Sequence, residues 1–226
     1  MVTGMPDFHM NHEGVCQGCA AGKHAKGPFP SSERKTNDIL QLIHSDMVGP
    51  LSVTSLGGYL YYVIFLDYFS HKTWIYFMKK KGELFWWFHS FKTLVENHKI
   101  KKIKTLITDK GTKYESNEFN EFCKEEGIKR KLTIPYNPQK NGVAKRKNCI
   151  VIEATLAMIH DQDILKFLWR EFSNTNVYVQ NTSPHQTFDF KTPKEIFAGK
   201  KINVENFRIF GWHVYFHVPK EKRNKF

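Results

Sequence analysis

Three apolar segments joined by short turns constrain the fold of this chain most strongly. Residues 39–48, 59–69 and 72–79 are rich in aromatic and β-branched side chains, and Gly49-Pro50 and Gly57-Gly58 interrupt them. Such runs separated by short connections are typical of strands that pair antiparallel with their sequence neighbours. The sequence therefore predicts a three-stranded antiparallel meander.

The period of the apolar positions changes after the third strand. In residues 82–98, Leu84, Phe88, Phe91 and Val95 recur at helical spacing and define one face of an amphipathic helix. Further strands are predicted at 103–109 and 128–135. Further helices are predicted at 116–127 and from Asn141-Gly142 to about residue 160, where Val143, Ile150, Ala154 and Ala157 suggest the apolar face. The order βββαβαβα predicts a mixed α/β domain with a five-stranded sheet.

The C-terminal region is predicted to be a helical extension with a basic end. A helix is expected over residues 164–181, with Leu165, Leu168, Phe172 and Thr175 on one face, and Thr192-Pro193 suits another helix start. The predicted domains are residues 1–37, 38–162 and 163–226.

Charge and cysteine content narrow the function classes. A formal charge of +12 predicts an acidic partner, with nucleic acid ahead of an anionic membrane surface. Four cysteines in 226 residues do not form a disulfide framework, and no apolar run reaches the length of a membrane span. We therefore expect a reduced, intracellular protein with no membrane partner.

Two aspartates mark the predicted strand ends. Asp46 falls late in the first strand and Asp109 ends the fourth. Carboxylates that share one sheet edge repel each other and usually hold a divalent cation. The alternative interpretation is a pair of solvated turn acids.

Some other residues that could carry chemistry are interpreted as packed core residues instead. They are Cys123, Cys149, His44 and the Trp86-Trp87 pair.

Several segments together resemble the integrase of Ty1/copia-type retrotransposons. They are HSDMVGP, FLDYFSHKTWIYFMKKKGE, TLITDKGTKYESNEFNEFCKEEGI and IPYNPQKNGVAKRKN, with VCQGCAAGKHAKGPF before them and FRIFGWHVYFHVPKEKR after. The resemblance implies a ribonuclease-H-like core in which two aspartates and a glutamate hold Mg²⁺ or Mn²⁺. It places the aspartates at Asp46 and Asp109.

The family's glutamate is replaced in this chain. Thirty-five residues separate Asp109 from the position where the resemblance places that glutamate, and the chain has Lys145 there. An ammonium supplies no oxygen ligand and adds positive charge where a dication should lie. Glu153 lies about 12 Å further along the helix axis and is too far to substitute. The resemblance therefore implies a catalytic position at Lys145 and, with it, an impaired site that binds metal poorly.

Other departures from the family pattern reduce the number of acids. Residues 109–114 read DKGTKY where relatives have DNGGEY, and residues 67–70 read DYFS where relatives have DDYS. We interpret both changes as loss of acidity near the active site.

A second candidate metal site lies near the N-terminus. Cys16 and Cys19 form half of a zinc-binding pattern. His9 and His12 could complete a tetrahedral set, although this spacing does not match the His-His-Cys-Cys module of the family. The alternative is a truncated remnant of that module without zinc.

Basic clusters predict contact with DNA. They are Lys79–Lys81, Lys99–Lys104, Lys129–Lys131 and Lys145–Lys147. The resemblance points to Lys145, Arg146, Lys147, Asn141 and Gln139 as nucleic-acid-binding residues, and to a homo-oligomer on DNA. The alternative is a solvated charged face.

Four functional interpretations remain open. The chain could be an impaired integrase that binds DNA, or a non-enzymatic nucleic-acid-binding or interaction protein that keeps the fold. It could also retain activity with Mn²⁺. A relic that does not accumulate as folded protein is a further alternative. A functional protein of this kind would be expected in the nucleus.

Overall fold

The computed structural model describes residues 36–109, 114, 116–132, 141–161, 164–203, 205 and 219. The chain divides into two compact units, Met1–Lys35 and Thr36–Phe226. All described residues belong to the second unit. The domain boundaries predicted at residues 37 and 162 remain predictions.

A five-stranded mixed sheet forms the centre of the described unit, as the sequence predicts. Its strands are β1 (Leu42–Val48), β2 (Tyr61–Asp67), β3 (Thr73–Met78), β4 (Thr105–Thr108) and β5 (Lys129–Leu132). Their order across the sheet is β3-β2-β1-β4-β5. The β1–β2 and β2–β3 pairs are antiparallel, which confirms the meander, whereas β1–β4 and β4–β5 are parallel.

Helices cover both faces of the sheet. They are α1 (Leu84–Lys99), α2 (Asn117–Glu125), α3 (Gly142–Asp161), α4 (Trp169–Thr182) and α5 (Pro193–Ala198). Short 3₁₀ turns at Lys81–Glu83 and Lys166–Leu168 precede α1 and α4, and a third spans Gln186–Phe188. Ser116 caps α2 and Thr192 forms a capping box on α5.

The alternation of side chains along β2 separates two apolar clusters. Val63 and Phe65 belong to one cluster with α1 and α2, whereas Tyr62 and Ile64 belong to the other with α3 and α4. Successive side chains of a strand point to opposite faces, so a strand that is apolar at every position is buried on both sides. This explains why β2 reads as a continuous apolar run.

The predicted core face of α1 is confirmed. Leu84, Phe88, Phe91 and Val95 are all buried. Phe91 stacks on Phe65 of β2 with ring centroids 4.4 Å apart and an interplanar angle of 10°. The assignment of Trp86 to the core is wrong. Its side chain lies on the outer side of this helix and is 60% exposed.

Helix α3 was predicted correctly as a helix but with the wrong buried face. The structure buries Ala144, Asn148, Val151, Thr155 and Ile159 instead of the stripe through Ile150. Two of these side chains are polar, so hydrophobicity does not mark this face. The core assignment of Cys149 is wrong for the same reason, since its side chain is exposed, whereas Cys123 is buried as expected.

Polar side chains hold α4 in place. Asn181 accepts a hydrogen bond from the backbone N–H of Thr73 at 2.9 Å and donates to its carbonyl at 2.7 Å, so its amide continues the edge of β3. Asn176 donates to the Val151 carbonyl of α3 at 3.0 Å. The helix begins at Trp169, and Leu165, expected on its core face, is 64% exposed because it precedes the helix.

No helix in the described part of the chain has both the length and the apolarity that a bilayer span requires.

Replacing Phe88 with alanine should destabilise the described unit by about 3–5 kcal/mol, because it removes a fully buried ring and leaves a cavity. Trp86→Ala in the same helix is the matched control and should change the free energy of unfolding by less than about 1 kcal/mol. Urea denaturation of the 226-residue chain measures both. Equal effects of the two substitutions would contradict the assigned orientation of α1.

Candidate active site

The pairing of β1 with β4 brings two aspartates to the same level of the sheet. These strands are parallel neighbours, with His44 opposite Ile107. Extending that register by two residues places Asp46 opposite Asp109. Asp46 also pairs with Ile64 of β2, so its side chain lies on the sheet face that α3 covers. The site therefore forms at the carboxyl ends of two parallel strands, where open α/β sheets commonly bind ligands.

Two amide side chains fix the start of α3 against β1. Asn141 donates from Nδ2 to the Ser45 carbonyl at 3.1 Å, and its Oδ1 lies 3.3 Å from Nδ1 of His44. Seven residues later, Asn148 donates from Nδ2 to Asp46 Oδ2 at 3.0 Å. Seven residues are close to two helical turns, so both amides point to the same side of the helix. Both side chains are buried.

This anchoring places Lys145 beside Asp109. The Lys145 Nζ lies 2.9 Å from Asp109 Oδ2, and the two side chains are 44% and 40% exposed. Solvent screens a pair of this exposure, which contributes at most about 1 kcal/mol to stability. The pair therefore determines the charge of the site far more than it determines the stability of the fold.

Burial and neighbouring charges shift the ionisation of the site. Burial raises the pKa of Asp46 above its ordinary value of 3.8, and the Asp109 carboxylate adds to this shift. The hydrogen bond from Asn148 and the Lys145 ammonium act in the opposite direction. The hydrogen bond to Asp109 raises the pKa of Lys145. Lys145 is therefore a fixed cation at neutral pH.

The donor set does not fit the divalent ions that the family uses. Lys145 supplies no oxygen, and its ammonium already takes one oxygen of Asp109. Within the described part of the chain, no cluster of three or more histidine, cysteine or acidic side chains could hold a metal ion. Glu153, further along α3, is exposed and does not join the site. Asp46 accepts a hydrogen bond from Asn148 and Asp109 pairs with the Lys145 ammonium, so each carboxylate has a partner within the protein.

Sequence reasoning missed two features of the site. The first is Asn148, which hydrogen-bonds Asp46. Its position three residues after Lys145 on one helix could have indicated that the two side chains lie on the same face of α3. Tyr114 lies below the site, with its Oη 2.7 Å from Ser45 Oγ, and no sequence pattern marks that contact. Burial raises the pKa of Tyr114 well above its ordinary range, so the phenol stays protonated.

The predicted nucleic-acid residues fall into different environments. Arg146 is exposed, and Lys147 is partly buried and donates to Gln180 Oε1 of α4. Asn141 is fully buried, so its side chain anchors α3. Gln139, Cys16 and Cys19 lie outside the described residues, as do His9 and His12. The binding roles assigned to all of these residues remain predictions.

Asp67, the acid that residues 67–70 share with the family pattern, lies away from Asp46. The acid lost from that pattern falls at Tyr68, and the interpretation of that loss remains a prediction. Asp67 pairs with Ile43, three residues before Asp46 and about 10 Å away along the strand. Its carboxylate is buried and accepts hydrogen bonds from the backbone N–H groups of Leu40 and Ser70 and from the Ser70 hydroxyl. Asp67 therefore stabilises the β2–β3 turn through these hydrogen bonds. Residues 110–113 lie outside the described part.

Comparison with solved structures assigns the fold class. The chain matches the simian T-cell lymphotropic virus intasome in complex with PP2A regulatory subunit B56 gamma, with a TM-score of 0.62 and 18% identity over 83% of this chain and 65% of that one. It matches the HTLV-2 integrase catalytic core domain in complex with magnesium (trimeric form) with a TM-score of 0.54 and 20% identity, over 72% of this chain and 99% of that one. The fold is that of the ribonuclease-H-like integrase catalytic cores.

Sequence comparison identifies the family. Residues 38–138 match the Integrase core domain family. The chain is 39% identical over 211 residues to the retrovirus-related Pol polyprotein from transposon TNT 1-94 of Nicotiana tabacum, and 30% identical over 222 residues to that from transposon RE2 of Arabidopsis thaliana. These matches span 93% and 98% of the chain but only 16% and 15% of those polyproteins. The chain belongs to the integrase family of Ty1/copia-type Pol polyproteins and corresponds to about one sixth of such a polyprotein.

Asp46→Asn should stabilise the protein at neutral pH. A carboxyl whose pKa is raised by folding contributes stability that is present below its unfolded pKa and is lost as pH rises through the folded value. The asparagine variant avoids that loss and can still accept the hydrogen bond from Asn148. The gain in urea midpoint, measured with EDTA present, should therefore grow as pH rises from about 4 to 7.

Asp109→Asn is the matched control for that measurement. Its carboxylate is 40% exposed and has an ammonium partner, so its removal should bring no such gain. A pH-independent difference between Asp46→Asn and the natural chain would contradict the assigned environment of Asp46.

Proposed function

We propose that this chain is an integrase core of the DNA integration class that binds nucleic acid but is catalytically impaired. The single observation that carries this proposal is the 2.9 Å contact between Lys145 Nζ and Asp109 Oδ2. It occurs at the helix position where the family resemblance expects the third metal-binding carboxylate. The reaction of the class is attack of a DNA 3′-hydroxyl on a target phosphodiester.

Charge explains the impairment. Two-metal phosphoryl transfer depends on carboxylates that fix the ions on either side of the reacting phosphate. Three carboxylates would present three negative charges to such ions, whereas Asp46, Asp109 and Lys145 together present one. Electrostatic attraction for divalent cations falls accordingly, and the Lys145 ammonium also competes directly for Asp109. The HTLV-2 integrase core is described in complex with magnesium, whereas the described residues of this chain bring no third carboxylate to Asp46 and Asp109.

Nucleic-acid binding does not depend on the third carboxylate. The chain carries a formal charge of +12, and Lys79, Lys80, Lys129 and Lys131 are exposed at the ends of strands or along the β5 edge. A surface of this kind binds DNA by releasing condensed counterions, without regard to base sequence. Relatives in solved structures are described as an intasome and as dimeric and trimeric forms, which supports a homo-oligomer on DNA.

Introducing a glutamate at position 145 should restore metal-dependent strand joining. Loss of a residue that hydrogen-bonds a metal ligand already lowers metal affinity or activity by about 10- to 100-fold, so loss of a ligand itself should matter at least as much. Lys145→Glu should therefore raise metal-dependent joining of a short DNA duplex by about tenfold or more over the natural chain. Strand joining is measured with Mg²⁺ and with Mn²⁺.

Two further variants sharpen this test. Lys145→Gln removes the ammonium without adding a carboxylate and should remain inactive, and Lys145→Glu combined with Asp109→Asn should lose the restored activity. If the natural chain itself joins DNA with Mn²⁺, and Asp109→Asn abolishes that activity, the impairment proposal is wrong. If Lys145→Glu shows no strand joining but still binds DNA, a non-enzymatic binding role is supported instead.

DNA binding by the natural chain should be independent of metal and strongly dependent on salt. If about six or more phosphates are contacted, the affinity for duplex DNA should fall about 10³-fold or more between about 50 and 200 mM salt. Fluorescence anisotropy with EDTA present measures this dependence. An affinity that does not change with salt would show that the basic residues form only a solvated charged face.

A further inference from the structure

A cavity of about 580 Å³ lies between α3, α4 and the β2–β3 turn. We call it the α3–α4 cavity and define it by Arg146 and Lys147 of α3, Gln180 of α4, His71 of the turn and His185 beyond α4. Its volume falls in the range of about 300–1,000 Å³ typical of small-molecule sites. Lys145 faces Asp109 on a different side of α3, so the cavity is separate from the aspartate site.

The cavity carries cations without acids. None of the described residues that line it is an aspartate or a glutamate. The ammonium of Lys147 is partly buried and donates to the neutral amide oxygen of Gln180. Burial lowers the pKa of Lys147 to about 8, as expected for an ammonium that has left water without gaining a counterion. Arg146 adds a second, exposed cation at the rim.

Flat rings form another wall of the same cavity. The His71 and His185 rings lie 4.9 Å apart between centroids, and the Tyr68 ring lies 6.3 Å from that of His71. Burial, together with the charges of His185 and Lys147, lowers the pKa of His71 to about 4. This ring is therefore neutral at physiological pH and offers a surface for stacking. Leu66, Val143 and Ile150 complete the apolar lining.

We propose that the α3–α4 cavity binds one unstacked nucleotide of a DNA strand, with its phosphate at Lys147 and Arg146 and its base against Tyr68, His71 and His185. An anion would give Lys147 a counterion, which none of the described residues lining the cavity provides. Aromatic side chains that stack on a base contribute about 1–3 kcal/mol each without demanding a particular base. The inference rests on the proposed DNA binding and assigns it a second site beside the aspartates.

The test uses a short fluorescent oligothymidylate and the full 226-residue chain. Lys147→Gln removes the charge but keeps a donor for Gln180, and it should weaken binding by about tenfold. Gln180→Glu places a carboxylate beside Lys147 inside the cavity and should weaken binding by a similar factor. Lys124→Gln is the matched control: it removes one exposed lysine of α2 that lies outside the basic clusters assigned to DNA contact, and it should weaken binding less than about threefold. Unfolding midpoints verify that all variants are folded.

Competition identifies the ligand chemistry. Free thymidine monophosphate should displace the oligothymidylate from the natural chain, whereas inorganic phosphate or thymidine at the same concentration should not. Equal losses in Lys147→Gln and Lys124→Gln, or equal competition by phosphate and by the nucleotide, would overturn the proposal.

The outcomes also separate this inference from the proposed function. Salt-dependent duplex binding that is unchanged in Lys147→Gln would leave the proposed function standing and remove the cavity from it. Nucleotide binding that depends on Lys147, with no gain of strand joining in Lys145→Glu, would support the cavity and contradict the account of impairment.

Discussion

The hydrogen bonds from Asn141 and Asn148 to β1 determine the geometry of the functional region. β1 lies at the centre of the sheet between β2 and β4. A segment that is hydrogen-bonded to β1 is therefore held at a fixed place in the fold. The two amides hold the first turns of α3 against Ser45 and Asp46. Because both amides are buried, an unmade bond would leave a buried polar group without a partner, which costs about 1–3 kcal/mol. The helix therefore has one favourable rotation about its axis.

That rotation gives three consecutive cations three different environments. Successive residues of an α-helix are about 100° apart around its axis. Lys145 consequently faces Asp109, Arg146 points to solvent at the rim of the α3–α4 cavity, and Lys147 turns inwards to Gln180. Three cations that are adjacent in the sequence therefore lie in three separate environments: beside Asp109, at the solvent-exposed rim and inside the α3–α4 cavity.

The proposal that Lys145 stands in place of a family glutamate is compatible with a stable fold, because its ammonium gives Asp109 a partner. Two carboxylates brought together by parallel strands repel each other, and in the absence of a cation the folded state must bear that repulsion. Lys145 neutralises Asp109, and Asn148 hydrogen-bonds Asp46, so the cluster is satisfied without an ion. Since the Lys145–Asp109 pair is largely exposed, the core packing beneath it is independent of this exchange.

Apolar periodicity is a local property of the chain, and it was enough to predict the strands, the helices and the mixed α/β sheet. The grouping of Asp46, Asp109 and position 145 was predicted from the family resemblance. The sequence did not determine the buried face of α3, where Asn148 and Thr155 are polar and are buried because they hydrogen-bond to Asp46 and Ser173. It also gave no sign of the α3–α4 cavity, whose walls come from His71, Lys147, Gln180 and His185. Only tertiary packing decided these features, since a buried polar group is stable only where another segment supplies its hydrogen-bond partner.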